Sequence, residues 1–317
     1  AILVSACGAP GTAALLRNLK ENGEREVRLV GSDMGERPVG RFRCDAFRRV
    51  PPGASPEFAD AMLQLCLDER VDVVLPQSSH DILGLSLAKA RFEERGIRVL
   101  VSPPDAIRRS NDKADCYALF DEIGVRGPAW RRVQGSVQLE AAARELGYPD
   151  VPVCFKPVYS SGSRGFRILD PTVDRAHQLL YERPGSLAMR LEEVLPLLPE
   201  EGGEELLVME VATGLERTVD GFAEGGEIVL GHPKTREAVR AGLAMFFETL
   251  ADEPLMETAR KVVRALGIEH FFNIQLVGDV LIEVNPRIST IVYQEDLNLP
   301  WLGVRRALGE LTDDEVA

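Results

Sequence analysis

Residues 271–290 read FFNIQLVGDVLIEVNPRIST, from Phe271 to Thr290. Polar and apolar side chains alternate through Asn273, Ile274, Gln275 and Leu276, and again through Ile282, Glu283, Val284 and Asn285. That period of two belongs to half-buried strands. Gly278-Asp279 is the turn between them, so the stretch is a β-hairpin. A strict two-residue turn would set Gln275 opposite Ile282 and send Glu283 to the other face. A three-residue turn over Gly278, Asp279 and Val280, with a bulge, instead pairs Gln275 with Glu283 and Asn273 with Asn285. This second register is the one expected. It places Asn273, Gln275, Glu283 and Asn285 on one face, with Arg287 two residues on, while Ile274, Leu276, Ile282 and Val284 cover a core. Side-chain oxygens of this kind suit a hard cation such as Mg2+, and the forked donors of Arg287 suit phosphate. A hairpin with a merely solvated polar face has the same pattern, so the remainder of the chain decides.

The chain has 317 residues, 45% of them hydrophobic and 27% charged, with a formal net charge of -13. That length is enough for two or three domains with substantial cores. The acidic balance argues against general affinity for nucleic acid or anionic membranes, so an anionic ligand needs a local basic pocket. The five cysteines, Cys7, Cys44, Cys66, Cys116 and Cys154, are scattered and show no metal-ligand spacing. A disulfide scaffold or zinc site is not expected, and a reducing cytoplasm is. No apolar run approaches the ~18 residues of a membrane span, and no cationic leader precedes an apolar stretch at the N-terminus.

Ile2–Ala6 is an apolar run that breaks into Cys7-Gly8-Ala9-Pro10-Gly11-Thr12, followed by a helical pattern from Ala13 to Asn22 that stops at Gly23. Strand, glycine turn and helix open a doubly wound α/β domain. Further strands are expected at Val27–Val30, Val71–Leu75 and Ile97–Val101, with helices at Pro56–Glu69 and Ile82–Glu94 between them; this alternation predicts a parallel sheet. Gly8-x-x-Gly11 followed by Asp33 imitates a dinucleotide fingerprint but lacks its third glycine, so binding of NAD is the minor reading. Pro76–Asp81 lies at the carboxyl end of the strand ending at Leu75, where α/β sheets place ligands; helix capping by Ser79 or Asp81 is the expected role there.

Ser102-Pro103-Pro104 marks a domain boundary. Ser110-Asn111-Asp112-Lys113 starts a helix that runs to about Ile123 and stops at Gly124. Lys113 then stands in a first turn, unfavourable against the helix dipole unless an anion is near. Val151–Pro157 is a buried strand carrying Lys156, a cation with no evident partner in an apolar run, which is costly. Tyr159-Ser160-Ser161-Gly162-Ser163-Arg164-Gly165 follows, and successive backbone amides in such a loop cradle phosphate oxygens. Strands are expected at Leu206–Met209, Arg217–Phe222 and Glu227–Leu230, and a helix at Pro254–Leu266 stops at Gly267. Lys234, Arg236 and Arg240 crowd three cations into a short stretch, read equally as a solvated face or as a carboxylate and phosphate site.

These residues in this order resemble the ATP-grasp superfamily, nearest its single-unit relatives of the carbamoyl phosphate synthetase large subunit and biotin carboxylase. The motifs are Asp112-Lys113, Phe155-Lys156-Pro157, the glycine loop, Glu210 to Glu216, and Gln275 with Glu283-Val284-Asn285-Pro286-Arg287. The resemblance implies an α/β architecture: a doubly wound pre-ATP-grasp domain over 1–102, then a two-lobed α+β ATP-grasp fold over 103–317. The smaller lobe would span about 124–207 and the C-terminal lobe about 208–317. It implies that Lys113 and Lys156 meet the α and β phosphates, and that Ser160, Ser161, Gly162, Ser163 and Gly165 close over the β and γ phosphates. Glu210, Val211 and Ala212 would line the adenine, and Glu216 would hold the ribose. Gln275, Glu283 and Asn285 would bind two Mg2+, with Arg287, Arg236 and Lys156 serving the chemistry. The implied activity is ADP-forming ligation of small-molecule carboxylate and amine substrates, with room for a homodimer; a nucleotide-binding regulator without turnover is the alternative. Serines replace part of the usual glycine run, and Gln275 stands where biotin carboxylase has a carboxylate. Nothing in the sequence names the substrates.

Overall fold

The computed structural model describes the chain except residues 161, 163, 183–184, 240–242, 289–295, 313–314 and 316–317. Its first sheet contains Ile2–Val4 (β1), Leu29–Asp33 (β2), Ala46–Arg49 (β3), Val73–Leu75 (β4) and Arg98–Val99 (β5), in the order β3-β2-β1-β4-β5. All four adjacent pairs are parallel, as the alternation predicts, but the sheet has one strand more than expected. The addition, β3, is a half-exposed edge strand whose sequence AFRR lacks an apolar period. Thr12–Lys20 (α1), Phe58–Asp68 (α2), Ile82–Glu93 (α3) and Pro104–Asn111 (α4) intervene or follow.

Alternate residues of β1 feed opposite faces of this sheet. Leu3 joins Val30 and Val74 against Phe58, Met62, Leu85 and Phe92 of α2 and α3. Ile2 and Val4 join Leu29 and Leu75 against Leu15, Leu16 and Leu19 of α1, together with Phe222, Phe271 and Trp301.

Lys113–Glu122 (α5) begins at Asp112, whose carboxylate caps it by accepting from the amides of Ala114 and Asp115. A second sheet follows, made of Trp130–Gln134 (β6), Val153–Pro157 (β7), Arg167–Leu169 (β8), Ala188–Met189 (β9) and Glu205–Glu210 (β10), ordered β6-β10-β7-β8-β9. Gly135–Glu145 (α6), Arg175–Tyr181 (α7) and Leu191–Val194 (α8) connect its strands. Leu139 and Ala143 of α6 pack on Val133, Phe155 and Val208.

The third sheet is Glu216–Glu224 (β11), Glu227–Thr235 (β12), His270–Val277 (β13) and Val280–Asn285 (β14), ordered β12-β11-β13-β14. Glu253–Leu266 (α9) is capped by Asp252 and ends on Gly267 at φ 64, where the sequence places its stop. Leu299–Ala307 (α10) closes the described elements. Contacts group the chain into two units, Ala1–Ser110 with Arg217–Gln275 and Glu283–Ala317, and Asn111–Glu216 with Leu276–Ile282. All five cysteines are free, and among the described residues no helix is long and apolar enough to cross a membrane.

The hairpin is present with a different turn. Its strands end at Val277 and resume at Val280, so the turn is Gly278 and Asp279 and not the three residues expected. Gly278, at φ 58, takes the left-handed first position. Asn285 Nδ2 nonetheless reaches Asn273 Oδ1 at 3.3 Å, which places both side chains on one face. An unbroken two-residue hairpin would separate them. The extra residue therefore lies within the strands, where Val280 and Leu281 are buried in succession at 3% and 0% exposure.

Candidate active-site residues

The candidate residues fall into two groups, one in each unit. In the second unit, Lys156 sits on β7 opposite Leu207 of β10. Its ammonium is not the partnerless charge the sequence implied. Lys156 Nζ donates to Tyr117 Oη at 2.9 Å and lies 5.3 Å from the centre of that ring. Tyr117 Oη in turn donates to the carbonyl of Ile282 at 2.8 Å, so its oxygen is left to accept from the lysine. The phenol oxygen and ring face of Tyr117 thus hold this lysine in place.

Lys113, on the first turn of α5, donates to the Ser160 carbonyl at 2.6 Å. Tyr159 Oη donates to Asp112 at 2.6 Å, and this bond pushes the phenol pKa up to about 12. The start of the glycine loop is thereby tied to the start of α5. Gly162 and Gly165 adopt φ 64 and 75, which favour glycine; Ser161 and Ser163, like Arg240, lie outside the described residues. Glu210 ends β10 half-buried, 4.0 Å from Arg126. Val211, Ala212 and Glu216 are also half-buried. Gly214 has φ 119, which favours glycine, and a Cβ there would stand 3.0 Å from Gly278 Cα of the hairpin tip.

In the first unit, the polar face of the hairpin is a continuous network. Asn273 Oδ1 accepts from Gln275 Nε2 at 2.6 Å and from Asn285 Nδ2 at 3.3 Å. Arg287 donates to Asn285 Oδ1 at 3.3 Å, to Ser79 Oγ at 3.0 Å and to the Ile288 carbonyl at 2.9 Å. Burial pulls the Arg287 pKa down, opposed by the charges of Glu283 and Asp220. Glu283 itself is half-buried. Arg236 is half-buried just beyond the end of β12. Lys234, expected within an equally solvated or ligand-binding basic stretch, is instead 5% exposed and paired with Asp220 at 2.5 Å.

Oxygen donors from Gln275, Glu283 and Asn285 fit a hard divalent cation, with one carboxylate and two amides leaving positions for phosphate oxygens and water. Among the described residues no group of three or more His, Cys, Asp or Glu side chains could hold a metal, so the mixed amide set is the chemistry to test. Asp33, the acidic residue of the dinucleotide alternative, accepts the amides of Gly8 and Gly35, each at 2.7 Å, and so braces two turns. Asp81 does not cap α3; it is buried, accepts from Ser5 Oγ at 2.7 Å, and burial raises its pKa.

Sequence reasoning missed Tyr117, Ser79, Thr218 and Asp220. Asp220 carried a detectable signal, a carboxylate inside an apolar strand, the same sign that singled out Lys156. Tyr117 reads as a core residue of α5, and Ser79 is joined to Arg287 only by the fold.

Several known proteins are similar to this chain. Residues 203–317 match the family model described as ATP-grasp in the biosynthetic pathway with Ter operon. Over 218 residues, 66% of its length, the chain is 28% identical to the carbamoyl phosphate synthase large chain of Thermus thermophilus, and it spans 20% of that protein. The fold matches N5-carboxyaminoimidazole synthetase of Staphylococcus aureus, solved with ADP, at a TM-score of 0.72 and 13% identity, covering 98% of this chain and 78% of that one. It also matches biotin carboxylase of Campylobacter jejuni, in a β,γ-ATP complex, at 0.65 and 17% identity, covering 99% and 72%. By these matches the chain is similar to ATP-grasp proteins, in sequence over residues 203–317.

Proposed function

We propose that the protein is an ADP-forming ligase that activates a small-molecule carboxylate with ATP and joins it to an amine. The observation that carries this reading is the hairpin face, where Gln275, Asn285 and Arg287 form one hydrogen-bonded set through Asn273. Lys113, Lys156 and the glycine loop would hold the phosphates; Glu210, Val211, Ala212 and Glu216 would hold the nucleoside. Gln275, Glu283 and Asn285 would hold Mg2+, two ions by the family resemblance. Bound there, Mg2+ supplies charge neutralisation of the polyphosphate.

A carboxylate oxygen of the substrate forms a bond to the γ-phosphorus as the bond to the β,γ-bridging oxygen breaks, and ADP leaves. The amine nitrogen then bonds to the acyl carbon, loses its proton, and phosphate departs with the original carboxylate oxygen. Arg287 and Arg236 orient carboxylate and phosphate, and Lys156 offsets charge on the phosphates; positioning and electrostatics suffice, with no side-chain nucleophile. The test is ADP release measured across a panel of amino acids and other carboxylates, each with an amine, with and without Mg2+. Mg2+-dependent release with one pair supports ligation. Tight ADP binding with no release across the panel supports a nucleotide-binding regulator instead.

A further inference from the structure

The hairpin amides pose a question of orientation. A carboxamide packs almost equally well either way round, but only its oxygen can face a cation. Something must therefore fix which end of Gln275 and Asn285 is offered. Asp220, 1% exposed on β11, is an acceptor-only group in contact with the network. Its Oδ1 accepts from Asn273 Nδ2 at 2.8 Å, and its Oδ2 lies 2.5 Å from Lys234 Nζ, which can only donate. Thr218 supplies a second one-way contact. Its hydroxyl donates to the Ile274 carbonyl at 2.9 Å, so its oxygen accepts from Asn273 Nδ2 at 2.7 Å.

Both hydrogens of Asn273 are thus drawn to one side and its Oδ1 is turned to the other. Gln275 and Asn285 both point their NH2 groups at that oxygen, at 2.6 and 3.3 Å. Their own carbonyl oxygens are left facing away from it, and Asn285 Oδ1 receives only Arg287 Nη2 at 3.3 Å among these contacts. We propose that Asp220 is a positioning residue that, through Asn273, sets the amides of Gln275 and Asn285 so that their oxygens are presented to a divalent cation. This rests on the reading of Gln275, Glu283 and Asn285 as the cation's ligands. An amide in place of Asp220 can turn an NH2 toward Asn273 and reverse the relay, with hardly any change in size.

The test uses the whole chain with saturating ADP and Mn2+ as the probe, free Mn2+ being followed by electron paramagnetic resonance. Asp220→Asn is expected to weaken Mn2+ about tenfold, 1.4 kcal/mol, while ADP affinity in EDTA, measured by calorimetry, stays within about twofold, which general misfolding would not permit. Asn273→Leu removes the relay, and Asp220→Asn added to it should weaken Mn2+ no further. Parent-like Mn2+ affinity in Asp220→Asn, or a further loss in the double variant, overturns the proposal. Should Asp220→Asn not fold, Thr218→Val removes the second acceptor alone and is expected to weaken Mn2+ about threefold; no change refutes the relay. Glu283→Gln separates the two levels. If it binds Mn2+ as the parent does, the ligand assignment itself fails, whereas loss there with Asp220→Asn unaffected overturns the relay only.

Discussion

Tyr117→Phe removes one oxygen from a side chain that is 2% exposed and should report on both stability and nucleotide binding. The lost hydroxyl is the donor to the Ile282 carbonyl at 2.8 Å and the acceptor for Lys156 Nζ at 2.9 Å. A neutral hydrogen bond contributes about 0.5–1.5 kcal/mol net and one to a charged group about 1.5–3. Lys156 is half-buried and partly rehydrates, so the sum is taken at about 2 kcal/mol. For a chain of this size that lowers the melting temperature by roughly 3 °C. The ammonium also loses the contact that orients it, and MgADP affinity is expected to fall about fivefold to tenfold, near 1–1.4 kcal/mol. Lys156→Ala should destabilise less than Tyr117→Phe, since the tyrosine keeps its bond to Ile282, while losing more nucleotide affinity. Thermal melts by circular dichroism and calorimetric ADP titrations read all three effects. Equal melting temperatures and equal ADP affinities in parent and Tyr117→Phe would refute the reasoning.

Three further outcomes are expected. Glu283→Gln keeps the fold and size but removes the one carboxylate of the proposed ligand set, so Mg2+-dependent kcat should fall at least about tenfold; an unchanged kcat would remove Glu283 from the chemistry. Arg287→Lys cannot reproduce bonds to Ser79, Ile288 and Asn285 together, and Arg236→Gln loses a guanidinium; each should slow ligation about tenfold with ADP affinity within about twofold, and an equal loss of ADP affinity would reassign either residue to nucleotide binding. The third outcome concerns acid stability. Burial, then the charges of Lys89 and Arg98, lower the His270 pKa from 6.5 to about 3. The unfolded state thus takes up a proton that the folded state refuses between these values, so stability rises with pH in that window, by up to about 1.4 kcal/mol per unit. His270 has φ 61, a backbone conformation asparagine tolerates, so His270→Asn should flatten the urea midpoint between pH 7 and pH 5. An equally steep acid limb in the variant would refute it.

Where the sequence was informative, a local pattern coincided with a tertiary constraint. The hairpin announced itself through its period of two, and α5 and α9 through Asp112, Gly124 and Gly267, because caps and stops depend on neighbours in the chain. Elements whose ordering comes from distant packing were harder to see. The strand Ala46–Arg49 has an exposed edge, α4 over Pro104–Asn111 reads as a proline-marked boundary, and α10 buries Trp301 and Val304 in a core assembled from other segments. Within the candidate site, Gln275, Glu283, Asn285 and Arg287 were legible because they share one hairpin and its exit. The groups that orient them, Asp220, Thr218 and Ser79, come from β11 and from the loop after β4. The hairpin's offset was anticipated while its location was not, since side-chain alternation reports register but not where a bulge falls.

The central claim is that a substrate carboxylate attacks the γ-phosphate, and an isotope measurement addresses it directly. Carboxylates labelled with 18O at the carboxyl group are incubated with the protein, ATP, Mg2+ and an amine, and the inorganic phosphate is examined by 31P nuclear magnetic resonance. Ligation through an acylphosphate carries one labelled oxygen into phosphate for each ADP formed. ADP formation with label entering phosphate only from 18O-labelled water would contradict it.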